Sequence, residues 1–183
     1  MKSLVATLAV MLVAATSAVA QNKILAETSG DMNGDHVADR VQLIQANDDG
    51  DVDLAIYLSA GGKVPDKPTL VKKTFGWTGS MAGQTPAATI NARGSLILTF
   101  ENDSVGRDRW QTRYTIAWRD GALVVAGYTH SERDTLDPKA GGSCDINFLT
   151  GRGKRGVAAV TVPAGGVKLE SWTDAAIPKA CTF

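Results

Sequence analysis

The residues best placed to do chemistry in this chain fall within nine positions, Asp31-Met-Asn33-Gly-Asp35-His-Val37-Ala-Asp39. Oxygen-bearing side chains occupy positions 1, 3, 5 and 9 of the stretch, and Val37 can add a backbone carbonyl at position 7. Such a set suits a hard cation like Ca²⁺, which gathers six to eight oxygen ligands from a chain curled around it. Three carboxylates this close together repel one another unless a cation or solvent relieves them, so binding would stabilise the folded state. The expected ligands are Asp31, Asn33, Asp35, the Val37 carbonyl and Asp39, and the expected role of Ca²⁺ is structural.

Two features exclude an EF-hand. The twelfth position is Gln42 instead of a bidentate Glu, and a strand-like sequence follows the loop instead of a helix. The loop resembles the calcium loop of the FG-GAP/VCBS repeat family, whose pattern is Asp-x-Asn-Gly-Asp-Gly-x-x-Asp before a hydrophobic strand. Asp31, Asn33, Gly34, Asp35 and Asp39 match that pattern, and Val41-Gln-Leu43-Ile44 stands in the strand position. The resemblance implies a Ca²⁺ loop between strands of an extracellular binding or adhesion protein. It extends over a single copy, so the family's repeated architecture is not implied. His36 stands where the family has Gly, at a position expected to need a positive φ, which His enters more readily than most residues.

Other candidate signals are weaker. The acidic run from Asn47 to Asp53 reads as a charged hairpin loop. Gly151-Arg-Gly153-Lys-Arg-Gly156 has dinucleotide-type glycine spacing, but a strand-like segment and Pro163 follow where a helix is required. A basic hairpin turn is the expectation there. His130 has Ser131 and Asp134 as neighbours, yet a catalytic triad is defined by geometry that sequence neighbours rarely satisfy. No catalytic residue and no organic cofactor is singled out.

The N-terminus reads as a secretory signal: Lys2, an apolar run over 4–15, then Ala18-Val19-Ala20 as the small-x-small cleavage pattern. The expectation is a signal peptide at 1–20, and a single antiparallel β domain at 21–183 with no transmembrane segment. Export to the periplasm or the exterior makes one disulfide, Cys144–Cys181, the natural reading of the two cysteines. Basic and acidic residues number 19 each, and loss of Lys2 leaves the mature chain near −1. Such a balance offers no electrostatic basis for binding nucleic acid.

Short apolar runs cut by turn residues predict an all-β fold, mainly antiparallel with hairpins and little helix. Strands are expected at 24–28, 40–45, 53–58, 70–75, 95–100, 145–149 and 157–162, with loops at 60–68 and 76–86. The segment 110–118 alternates large and small residues, and Asp120-Gly121 is a type I′ turn pair, so 122–130 should return as its partner. That turn would set Trp118 opposite Leu123, Ile116 opposite Val125 and Tyr114 opposite Gly127, with aromatic rings on the core side. The functional expectation is an exported, non-enzymatic binding module whose partner is an unknown protein or polysaccharide. The alternatives are a hydrolase of envelope or extracellular polymer, and a secreted enzyme inhibitor presenting the 76–86 loop.

Overall fold

The computed structural model describes residues 23–183, so the expected signal peptide lies outside the described residues. The architecture is all-β, with two antiparallel sheets. The smaller has the order β1 (Lys23–Gly30), β2 (Asp39–Gln45), β3 (Asp51–Tyr57) and β4 (Leu70–Trp77). The larger runs in space from β11 (Ala158–Thr161) through β10 (Arg152–Arg155), β9 (Gly141–Asn147), β8 (Ala122–Asp134), β7 (Asp108–Arg119) and β6 (Leu96–Asn102) to β5 (Ala87–Ile90). A short β12 (Val167–Lys168) pairs with β8 at Val125 and Val124. Helical structure among the described residues consists of 3₁₀ turns in the tail, at Leu169–Ser171, Asp174–Ala176 and Lys179–Cys181.

The strands form where apolar residues recur with period two. Leu96, Leu98 and Phe100 on β6 and Tyr114 and Ile116 on β7 point to one face and are buried. They meet Val41, Leu43, Val52, Leu54 and Ile56 of the smaller sheet, and the two inner faces make one core. Along one margin β1 comes beside β5, so closely that a Cβ on Gly30 would sit 3.0 Å from Ile90. Along the opposite margin β4 pairs only with β3, which leaves its outer edge unpaired among the described residues.

The tail covers the part of the larger sheet that the smaller one does not reach. Leu169 and Trp172 are buried, and Trp172 stands edge-on to Tyr114 at 5.9 Å and to Phe148 at 5.7 Å. A disulfide joins Cys144 on β9 to Cys181, with Cα atoms 5.1 Å apart, and holds the tail in place. Closing a loop of 37 residues contributes about 4 kcal/mol in the chain-entropy description.

Three local expectations need correction. Trp118 does oppose Leu123 and Ile116 does oppose Val125, but Tyr114 faces Tyr128, while Gly127 faces Thr115. A β-bulge at Ala126 shifts the register by one, and the Ala126 carbonyl instead accepts the Phe148 N–H at 2.9 Å. The basic segment expected as a turn is strand β10, paired on both sides, with Gly151 and Gly156 taking positive φ at its ends. The strand expected at 145–149 begins earlier, at Gly141, and gives way to a turn after Asn147.

Candidate functional site

The loop from Asp31 to Ala38 joins β1 to β2 and is built on side-chain caps to its own backbone. Asp31 accepts the N–H groups of Gly34 (2.6 Å) and His36 (2.9 Å), Asn33 Oδ1 accepts that of Asp35 (3.0 Å), and Asp35 Oδ1 that of Val37 (2.9 Å). His36 takes φ +66° and Gly34 φ +81°, so the position where the calcium-loop family has Gly does require the left-handed region. Partial desolvation works against ionisation of Asp31. The N–H groups of Gly34 and His36 and the nearby imidazole outweigh it, and the carboxyl titrates below the usual range.

Asp39 is fully buried and ties this loop to the segment after β3. Its Oδ2 accepts the Met32 N–H at 2.7 Å, and its Oδ1 accepts both the Ser59 N–H (2.7 Å) and the Ser59 hydroxyl (2.8 Å). The same hydroxyl lies 3.1 and 3.0 Å from the two Asp35 carboxylate oxygens and 3.3 Å from the Val37 carbonyl. One hydroxyl proton can serve only one of these four acceptors. Asp35, Val37 and Asp39 are thus brought together. Asp31 faces the loop amides, and Asn33 caps Asp35 and donates to the Ser59 carbonyl at 3.1 Å. Among the described residues no group of three or more acidic, His or Cys side chains stands arranged around one point. The donor chemistry, oxygen-only and rich in unserved lone pairs, still fits a hard cation.

A second feature lies on the unpaired margin. Between Val52 and Leu54 the β3–β4 register shifts, and the buried carboxylate of Asp53 fills the gap. It accepts the Thr74 N–H at 3.0 Å and pairs with the Lys73 ammonium at 2.6 Å. Thr74 adopts φ +48°, an unfavourable region for a β-branched residue, and the Asp53 bonds hold it there.

The bulge opens onto a cleft of about 290 Å³ between β4 and the larger sheet. Trp77, Phe100, Trp110 and Tyr114 give it an aromatic wall, and Asp51, Asp174, Thr74 and Thr112 supply carboxylates and hydroxyls. Trp77 and Trp110 are half-buried, and their rings meet at 5.8 Å. Gly76 is required here because a Cβ would fall 2.1 Å from the Phe100 ring. A depression of about 240 Å³ continues along β4 past Thr74 and Phe75 to Lys72, Lys73 and Trp172. A separate hollow on the outer face of the larger sheet, lined by Glu101, Asp103, Arg109 and Arg133, mixes both charges, with Arg133 paired to Asp103 at 2.5 Å.

The loop is legible from spacing because its oxygen-bearing residues are close neighbours in the chain. Ser59, Thr74 and the aromatic wall are not, since they converge only through strand pairing, and the tryptophans read locally as core residues. The histidine near Ser131 and Asp134 is also explained: His130 Nδ1 lies 2.8 Å from Thr112 Oγ1, and the ring stacks between Tyr128 and Phe183. The chain matches no family model, no curated protein and no solved structure, so the geometry of the loop and the cleft carries the functional argument.

Proposed function

We propose that this chain is an exported, non-enzymatic binding module that engages a polysaccharide or protein partner through the cleft beside β4, with a structural Ca²⁺ in the β1–β2 loop. The observation that carries the reading is the aromatic cleft beside a strained Thr74, because strain persists where surrounding contacts impose it and clusters at ligand sites. Asp35, the Val37 carbonyl and Asp39 would hold the cation, with Asp31 and Asn33 completing its shell. Bound there, it would neutralise the carboxylates and lock the β1–β2 loop against Ser59.

Two of the acidic residues are unsuited to the general-acid role of a hydrolase. Asp134, bonded to Arg107 and to the Leu136 N–H, titrates below the usual carboxylate range, as does Asp31. A general acid needs the opposite displacement. The 76–86 segment is fastened at its base, where Thr78 N–H bonds Gly50 and Gln84 Nε2 bonds Asn102 Oδ1 at 2.9 Å. A rigid inhibitory loop would be fastened in the same way, and what favours the binding module over it is the cleft that this segment adjoins at Trp77. The disulfide is compatible with an oxidising compartment.

Retention of the oxidised protein on washed cell-envelope and extracellular-matrix fractions tests the reading, with soluble reducing ends and peptides assayed in parallel. Retention that weakens in Trp77→Ala, without release of fragments, is the expected result. Released fragments would make the protein a hydrolase, and equal retention of wild type and variant would remove the cleft from the binding surface.

A further inference from the structure

All four tryptophans of the chain border the seam along β4. Trp118 lies in the hollow beside Leu70 and Val71, Trp172 beside Lys72 and Phe75, and Trp77 and Trp110 in the cleft at the far end. Lys72 crosses the seam to the Glu170 carbonyl at 2.8 Å and separates the Trp118 hollow from the rest. On the other side of that bridge the two depressions adjoin, with Thr74, Phe75 and Asp174 lining both, and make a two-part groove beside β4.

Charge and backbone narrow what this groove can take. Among the described residues no basic side chain lines the Trp77–Trp110 cleft, while Asp51 and the exposed Asp174 do, which disfavours an anionic ligand. A cationic ligand would meet the aromatic faces well, but Lys72, which bonds a neutral carbonyl and keeps its charge, lines the adjoining depression and opposes it, Lys73 being paired with Asp53. An added peptide strand needs a regular edge of free N–H and C=O groups. Here the bulge at Thr74 breaks the edge, and lysines on an edge strand discourage pairing. What remains is a neutral ligand with an apolar face and many hydroxyls. Indole rings offer flat apolar surface to ring C–H groups, and carboxylates accept pairs of hydroxyl protons. Asp51 keeps capacity for this, since the hydrogen bond it receives from Asn47 occupies one oxygen.

We infer that the groove beside β4 binds a neutral polysaccharide, one pyranose ring lying against Trp77 and Trp110 with its hydroxyls directed to Asp174 and Asp51, and the chain continuing past Thr74 toward Trp172. The inference rests on the binding-module reading and names its ligand class.

The test is tryptophan emission and calorimetry of the mature, oxidised protein against four probes: neutral β-glucan and α-glucan oligosaccharides, choline, and polygalacturonate. A saturable response to at least one neutral oligosaccharide, weakened tenfold or more in Trp77→Ala and in Asp174→Asn, is the expected result. Asp174 is exposed, so its variant should keep the wild-type melting temperature and isolate binding from folding. A response to choline or polygalacturonate alone, or to none of the four, overturns the neutral-saccharide assignment. In those cases Trp77-dependent envelope retention would still uphold a binding module, and its loss would remove both.

Discussion

Asp39 and Ser59, twenty residues apart in the chain, meet through two hydrogen bonds to one carboxylate oxygen, the Ser59 N–H at 2.7 Å and its hydroxyl at 2.8 Å. Together with the bond from the Met32 N–H to the other oxygen, they anchor the β1–β2 loop against the end of β3. Replacing Asp39 by Ala leaves the buried Met32 and Ser59 N–H groups without an acceptor, while the Ser59 hydroxyl can turn to Asp35 or to the Val37 carbonyl. The expected loss is about 3 kcal/mol, given the penalty for unmet buried donors and charged hydrogen bonds. A urea titration of the oxidised protein should show the midpoint fall with little change in slope.

Calcium should act on the same corner of the molecule. At a hundredfold excess over its dissociation constant a cation bound only by the folded state adds about 2.7 kcal/mol. For a chain of this size that corresponds to a rise in melting temperature of roughly 5–10 °C. Chelator should reverse it and Asp35→Ala should abolish it. A melting temperature indifferent to calcium in the wild type would return the loop to an acidic turn.

Thr74 carries strain that glycine would not. Thr74→Gly removes the β-branched side chain at φ +48° and keeps the N–H that bonds Asp53. The relief of roughly 1–3 kcal/mol is partly offset by the greater freedom of glycine in the unfolded chain, for a net gain of about 1 kcal/mol. Chemical denaturation measures it. A loss of stability would show that the Thr side chain makes packing contacts worth more than the strain.

The buried tyrosines set an alkaline limit. Burial pushes the Tyr128 phenol up to about 12, against a hydrogen bond from Thr112 that lowers it, and the nearby Asp174 adds to the rise; burial raises Tyr114 as well. A phenol whose folded pKa is raised favours the neutral form. Its contribution to stability is therefore whole below the unfolded value of about 10 and is lost as pH climbs through about 12. Denaturation midpoints measured across that interval should fall in step with phenolate absorbance, and the fall should be shallower in Tyr128→Phe. Equal slopes in the two proteins would assign the loss to other groups.

Legibility followed sequence distance. The all-β class, most strands, the Cys144–Cys181 pair and the central hairpin follow from period-two alternation, turn dipeptides and compartment chemistry, all of which act over a few residues or on the whole composition. The positive φ at His36 was legible for the same reason, because the loop closes on itself through its own side chains. The hairpin register failed beyond Ile116 because the bulge at Ala126 answers to Phe148 on the next strand. Likewise β10 forms a strand between β9 and β11 despite its glycine-rich, basic sequence, because pairing on both sides satisfies its backbone.

By itself the sequence determined the pattern of strands, the oxygen-rich loop and the covalent tie of the tail, since each depends on residues near in the chain or on cysteine chemistry. Only the tertiary structure decided that Ser59 sits among Asp35, Val37 and Asp39, that Asp53 holds Thr74 in a strained turn, and that four separated tryptophans border one seam. The physical reason is common to all three. Which side chains face each other across sheets depends on register shifts and on the packing of one sheet against another, and both arise from contacts between residues far apart in the chain.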